Sequence, residues 1–211
     1  MQHSTTQGFS LTEPSLSSVP ALKEWAIALE ALTQGHTILL LRKGGIREQQ
    51  GRFEVAHRQV VLYPTYEHQQ SRWLKAGYRE QVAPVASGWH PERLTLSAWA
   101  EITHIFQIRE AATVAALQPH HIWTDEMVAE RLRWKPQQPL YGLLLRTHRL
   151  AAPLQIPYRD AYGGCKSWLE VAVPADAVTF EPCPVLTDAD YEGRAQAIAH
   201  LIRTHEQPAN A

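Results

Sequence analysis

The stretch LTLSAWAEITHIFQI, residues 94–108, is the longest strand candidate in the chain and the natural centre of a sheet. Ile102, His104 and Phe106 alternate with Thr103 and Ile105, so apolar residues fall on both faces of an extended backbone. A strand that is apolar on both faces is typical of a central or bent position in a sheet. LYGLLLRTHRL, residues 140–150, predicts a second long strand.

Outward from these strands, shorter patterns complete the fold. Helices are predicted over residues 20–34, 65–76, 124–134 and 187–207, with one or two helical turns at 110–117. Thr124 and Thr187 are suited to cap the last two of the four longer helices, and Pro20 suits the first turn of the first. Shorter strands are predicted at 38–41, 52–55, 58–64, 156–158, 167–173 and 177–180. Strands and helices do not alternate strictly, which predicts an α+β fold with a mixed or mostly antiparallel sheet and flanking helices.

Length and composition favour one globular domain. The chain has 211 residues, 45% of them hydrophobic, and a net charge of −1. We expect a flexible tail at 1–17, a single domain at 18–205 with a possible joint at 77–93, and a second tail at 206–211. Cys165 and Cys183 form no recognisable pattern and predict two buried free thiols. No secretory signal and no membrane-length apolar run is apparent, so a cytoplasmic location without membrane contact is expected.

Charge is distributed in blocks that the near-zero total conceals. Residues 42–79 carry a net +5 and residues 131–169 a net +6, whereas residues 80–130 and 170–211 each carry −5. If the two basic blocks fold onto one face, that face could bind phosphate backbones. Internal pairing of the basic and acidic blocks is the alternative.

A loop rich in glycine and cations is the most suggestive local motif. It runs from Arg42 to Arg47 and reads RKGGIR, where glycines allow a backbone to approach an anion closely. Basic and aromatic residues also interleave in both basic blocks, as stacking of bases combined with phosphate contact requires. The predicted nucleic-acid contacts are Arg42, Lys43, Gly44, Gly45, Arg47, Tyr66, His68, Lys166 and Trp168. An ordinary turn is the alternative for the glycine loop.

No catalytic array, metal site or cofactor motif is apparent, so neither a catalytic residue nor a cofactor is predicted. Glu67 and His68 offer acid–base or metal-ligating groups after a strand, and Glu170 lies close to Lys166. A metal-dependent nuclease built on Glu67, His68 and Glu170 is therefore one alternative function. A protein-interaction scaffold that uses the alternating charge blocks is another.

Three segments carry a family resemblance: residues 21–48, residues 51–69 and GGCKSWLE at 163–170. Together they resemble the bacterial domain-of-unknown-function family 1802, common in cyanobacteria, over about residues 20–200. Relatives in that family are joined to an Mrr-type endonuclease domain, which implies a role near restriction–modification. Cleavage would then come from a separate nuclease subunit.

A second likeness concerns the fold alone. The order of the strands is similar to that of PUA-like and EVE-like open β-barrels, which bind RNA or modified DNA bases. Together these observations lead us to expect a non-catalytic nucleic-acid-binding module whose partner is DNA or RNA.

Overall fold

The computed structural model describes residues 15–44, 46–49 and 52–206, with the backbone alone at 47–49 and 52–54. The strands are β1 (Leu16–Trp25), β2 (Leu39–Arg42), β3 (Arg47–Gln49), β4 (Arg52–Glu54), β5 (Gln59–Thr65), β6 (Arg93–Ile108), β7 (Leu140–Pro157) and β8 (Trp168–Pro174). The α-helices are α1 (Ala26–Thr33), α2 (Ala76–Arg79), α3 (Ala111–Ala116), α4 (Asp125–Arg133) and α5 (Asp188–Glu206). Short 3-10 helices lie at Ser71–Trp73, Gln118–His120 and Asp160–Tyr162.

The strand predicted from residues 94–108 is central, as expected. β6 pairs with β7 from Arg93↔Pro157 to Ile108↔Leu140 and with β5 around Val60↔Ala100. The register shifts between Leu96 and Ala98 and again between Ile102 and His104. Such shifts bend a strand and increase its twist, so the sheet curls.

Six strands form this sheet in the order β2-β7-β6-β5-β1-β8. β1 and β5 run parallel, and the other neighbouring pairs are antiparallel. The predicted α+β class with a mixed sheet is confirmed, and the curled sheet resembles an open half-barrel. β3 and β4 form a separate two-stranded hairpin.

The helix predicted over residues 20–34 is wrong in its first part. The chain is a strand to Trp25 and becomes helical only at Ala26. Ala21 pairs with Val61 on one side and with Leu169 on the other. The hydrogen bonds of these two ladders outweigh the helical spacing of the apolar residues in this segment. Pro20 is tolerated because pairing with β5 begins only at the next residue.

The helix predicted over residues 65–76 is also wrong. His68 has a φ of 60°, in the left-handed region that ends a right-handed helix. Beyond it the chain makes one 3-10 turn and the single helical turn of α2. No strand forms at the predicted position 177–180.

Apolar side chains fill both faces of the sheet. The larger core lies between one face and the helices, with Leu22, Leu143 and Ile198 fully or almost fully buried in it. The smaller core, with Val61 and Trp99, lies on the other face. Because residues from β5 and β6 occur in both cores, the strands on either side of the 77–93 segment are packed into the same sheet.

The ends of the domain differ slightly from expectation. β1 includes Leu16 and Ser17, so the last residues of the expected first tail belong to the sheet. Residues 1–14 and 207–211 lie outside the described residues. Cys165 and Cys183 are free, as predicted, but both are exposed. Within the described ranges, no helix has the length and apolar character needed to cross a membrane.

Candidate nucleic-acid interface

Arg42, the first predicted contact, forms an ion pair inside the fold. Its Nη1 lies 2.5 Å from the Glu24 Oε2, and the two side chains are only 11% and 14% exposed. The same nitrogen donates to the Lys23 carbonyl oxygen at 3.3 Å. β2 is one edge of the sheet and β1 lies next to the other edge, so this pair spans the open side of the curled sheet. Glu24 therefore already offsets the charge of Arg42.

Lys43, the next residue, connects the two basic blocks. Its Nζ donates to the Leu132 carbonyl oxygen at 3.1 Å, at the C-terminal end of α4. Partial burial lowers the pKa of Lys43. An ammonium carries three N–H donors, and this bond uses one of them. In the turn that follows, a Cβ on Gly44 would meet no atom of the described residues within 4 Å, and its φ of 105° favours glycine.

A cleft of about 160 Å³ lies between this turn, α4 and the end of β1; we name it the cationic cleft. Among the described residues, Arg42, Lys43 and Arg131 line it together with a single carboxylate, that of Glu24. Trp25 and Trp123 form its aromatic wall, with ring centroids 5.1 Å apart in an edge-to-face contact. The cleft thus joins the two basic blocks that the sequence places far apart.

An exposed indole lies beside this cleft. Trp134 is 46% exposed and follows directly after α4. The Lys135 Nζ lies 4.5 Å from its ring centroid, and the Arg131 guanidinium carbon lies 5.8 Å from it. Arg133 is exposed on the same turn. We name Arg131, Arg133, Trp134 and Lys135 the α4 patch.

The GGCKSW loop approaches the same region. Ser167 lines the cationic cleft, and its carbonyl oxygen accepts from the Lys23 backbone N–H at 2.9 Å. Lys166 is exposed, and its Nζ donates to the Ala161 carbonyl oxygen at 3.0 Å. Trp168 begins β8 and packs half-buried against the larger core. The structure therefore brings Ser167 of this loop to the cleft of Arg42 and Lys43, whereas the predicted contacts Lys166 and Trp168 are not among the residues that line it.

The other predicted contacts lie elsewhere or outside the described side chains. Gly45 is outside the described residues, and only the backbone of Arg47 is described. Tyr66 lines a second, larger cleft together with Trp89, 6.0 Å away between ring centroids. His68 is exposed in the turn between Tyr66 and Gln69, which both line that second cleft. Tyr66 and His68 therefore belong to a different surface from the cationic cleft.

The three side chains of the nuclease alternative do not converge. The Glu67 Oε1 accepts from the Gly88 backbone N–H at 2.8 Å, which ties the 81–89 loop to the turn after β5. Glu170, on the edge strand β8, accepts from the Ser18 hydroxyl at 2.8 Å and lies 3.4 Å from the His57 Nε2. Across the described part of the chain, no three His, Cys, Asp or Glu side chains are grouped as metal ligands would be.

Sequence reasoning missed most of the α4 patch. The motif RLRWK at 131–135 places three basic residues around one tryptophan. This pattern is the signal that could have identified the patch. Arg131 and Arg133 also suit the C-terminal end of a helix, where cations stabilise the dipole, and this second role obscures the first.

Comparisons with known proteins place the chain in one family and no further. No curated protein and no solved structure matches it, so the likeness to PUA-like barrels finds no confirmation. One family model covers most of the folded chain, residues 21–197. That span includes β1 from Ala21, the turn carrying Arg42 and Lys43, α4 and the GGCKSW loop. The chain therefore belongs to the family described as Domain of unknown function (DUF1802).

Proposed function

We propose that this protein is a non-catalytic module that binds single-stranded nucleic acid through the cationic cleft and the α4 patch. The hydrogen bond from Lys43 to the Leu132 carbonyl carries the proposal, because it joins cations from two distant blocks beside an exposed indole. Phosphate-binding cations next to an aromatic platform are the combination that single-strand binders use.

The charges divide into structural and available ones. Glu24 offsets Arg42, which leaves Lys43 and Arg131 in the cleft and Arg133 and Lys135 beside it. The Lys43 ammonium keeps two donors for a phosphate oxygen. These four cations supply the non-specific, salt-dependent part of binding.

The exposed indole favours a single strand over a duplex. Trp134 is nearly half exposed, and the Arg131 and Lys135 cations lie close to its ring. In the proposed complex a base stacks on the exposed part of the indole, and its phosphate pairs with these cations. In a duplex the base faces are already stacked and not accessible to a side chain. We therefore expect single strands to bind more tightly than duplexes of the same length.

Fluorescence polarisation with labelled single- and double-stranded DNA and RNA, at several salt concentrations, tests the proposal. Each phosphate contact removed by Arg131→Ala, Arg133→Ala or Lys135→Ala is expected to reduce the slope of log K against log salt by about 0.7. Trp134→Ala is expected to weaken single-strand binding about tenfold with no change in that slope, and Trp134→Phe to restore part of the affinity.

Arg203→Ala provides a matched control, because Arg203 is an exposed helical arginine on α5. It is expected to bind like the wild type. If the α4-patch variants and Arg203→Ala bind alike, or if no probe binds at low salt, the proposal is wrong.

In this proposal the protein recognises nucleic acid in the bacterial cytoplasm, and a separate nuclease subunit cuts it, as part of restriction–modification. The resemblance to relatives that carry an Mrr-type endonuclease domain supports this role. Cleavage of DNA or RNA by this chain alone with Mg²⁺ or Mn²⁺ would contradict it, especially if Glu67→Ala abolished the activity.

A further inference from the structure

A second cleft, of about 470 Å³, lies between α1, the end of β5 and the 81–89 loop. Ile27 and Leu29 of α1 and Leu62 of β5 form an apolar floor, each no more than 5% exposed. Tyr66 and Trp89 form an aromatic wall. We name it the aromatic cleft. Its volume lies within the range of small-molecule sites, about 300–1,000 Å³.

From this geometry we propose that the aromatic cleft binds one unpaired nucleobase. This proposal deepens the proposed function. It rests on that function only for the strand that carries the base, because recognition of the base itself does not need the cationic cleft.

The charge of the lining excludes anionic groups and favours a neutral ring. Among its described residues the cleft has no Lys, Arg or His, and its one carboxylate, that of Glu30, accepts from the Gln34 side-chain amide at 2.9 Å. A phosphate or carboxylate would find no countercharge here. A nucleobase needs none, because the ring itself is neutral.

Amide and hydroxyl groups supply the hydrogen bonds that base edges require. Gln69, Gln81, Thr33, Thr95 and Ser97 line the cleft. The Gln69 Oε1 is held by the Ile27 backbone N–H at 3.2 Å, and the Gln81 Nε2 donates to the Gly77 carbonyl oxygen at 2.7 Å. Each amide is thus oriented by one bond and keeps other donors or acceptors for a ligand.

The aromatic wall is held in place before any ligand binds. Trp89 is 45% exposed, yet the Gly88 N–H before it donates to the Glu67 carboxylate and its own N–H donates to the Ala86 carbonyl oxygen at 3.0 Å. Gly88 has a φ of 79°, which a side chain would strain. Tyr66 meets the Trp89 ring edge-to-face, at 84° between planes. A fixed, half-exposed indole is suited to stack on a planar ring.

The linings of the two clefts are consecutive in the chain at the junction of β1 and α1. Trp25 lines the cationic cleft, and the next residue, Ala26, lines the aromatic cleft. In the proposed function, a strand whose phosphates lie at the first cleft would pass this junction to place one base in the second.

Free nucleosides test the cleft without phosphates. Adenosine, guanosine, cytidine and uridine are titrated in turn by calorimetry, with saturation-transfer NMR to identify the contacting ring protons. We expect at least one nucleoside to bind with a Kd of about 0.1–1 mM. Trp89→Ala is expected to weaken this binding about tenfold and Trp89→Phe to retain most of it. Ser97→Phe, which fills the cleft instead of emptying it, is expected to abolish it.

Arg203→Ala is the control, since Arg203 is exposed on α5 and lines neither cleft. It is expected to leave nucleoside binding unchanged. In the strand experiment, an oligonucleotide with one abasic position is expected to bind about tenfold more weakly than the intact strand, and Trp89→Ala to remove the difference.

The outcomes separate this inference from the proposed function. Salt-dependent strand binding with no nucleoside binding and no effect of Trp89→Ala overturns the nucleobase site and leaves the proposed function intact. Nucleoside binding that Ser97→Phe abolishes, with no strand binding, supports the nucleobase site and overturns the proposed function. Saturable binding of indole or phenol but of no nucleoside assigns the cleft to a protein side chain and also overturns the inference.

Discussion

Replacement of Arg42 by alanine should reveal a structural role for a residue that resembles a phosphate contact. The Nη1 of Arg42 lies 2.5 Å from the Glu24 Oε2, and both side chains are nearly buried. A hydrogen bond to a charged group contributes about 1.5–3 kcal/mol, and loss of one partner of a fully buried pair costs about 3–5 kcal/mol. Because some water still reaches Glu24, we expect Arg42→Ala to lower the free energy of unfolding by about 3 kcal/mol.

Urea denaturation and calorimetry measure this change. For a chain of this length, about 3 kcal/mol corresponds to a fall in Tm of about 6–12 °C. Arg42→Met combined with Glu24→Met removes both charges and should be more stable than Arg42→Met alone by about 1 kcal/mol or more. Lys43→Ala is the control, because it removes a single bond to a neutral carbonyl and should cost about 1 kcal/mol or less.

Two results would refute this reasoning. A loss below about 0.5 kcal/mol, or additive effects of the Arg42 and Glu24 substitutions, would show that the pair does not couple the two strands. A fall of about 0.7 in the salt slope of nucleic-acid binding would show that Arg42 contacts a phosphate despite Glu24.

The remaining predictions concern stability, and denaturant unfolding measures all of them. Burial lowers the pKa of His121 from 6.5 to about 3, although the Trp123 backbone acts to raise it. Neither ring nitrogen of His121 makes a hydrogen bond of normal geometry within the described chain. As the pH falls, His121 is protonated in the unfolded state at a higher pH than in the folded state. The free energy of unfolding therefore falls between pH 6.5 and 3, and at pH 5 it is lower by about 2 kcal/mol than above pH 6.5. His121→Leu should flatten this profile, and an unchanged profile would contradict the assignment. Tyr63→Phe removes a buried hydroxyl with no partner among the described residues and should be neutral or stabilise by about 1 kcal/mol; a loss above that would reveal a partner for the hydroxyl. Thr187→Ala should cost about 1 kcal/mol, because the Thr187 Oγ1 accepts from the Asp190 N–H at 3.1 Å and caps α5, whereas Thr187→Ser should cost much less; equal losses would argue against the cap.

The sequence predicted only part of the candidate site, and there is a physical reason why it missed the rest. Arg42 and Lys43 from the first basic block line one cleft with Arg131 and Ser167 from the second. Composition could not show that Tyr66 lies on a different surface. A turn at His68 directs its segment to the aromatic cleft. No local pattern indicated that Trp89 would line the aromatic cleft, since the distant Glu67 ties its loop in place.

By itself, the sequence determined the elements whose signals are local. The strand patterns of residues 94–108 and 140–150 and the caps at Thr124 and Thr187 depend on neighbours within a few residues, and each was confirmed. Only the tertiary structure decided that residues 16–25 form a strand, because the β5 and β8 ladders that hold it come from distant parts of the chain. It likewise decided that Arg42 pairs with Glu24 and that Lys43 reaches Leu132, 89 residues away. Such partners are selected by the curl of the whole sheet, which no local pattern encodes.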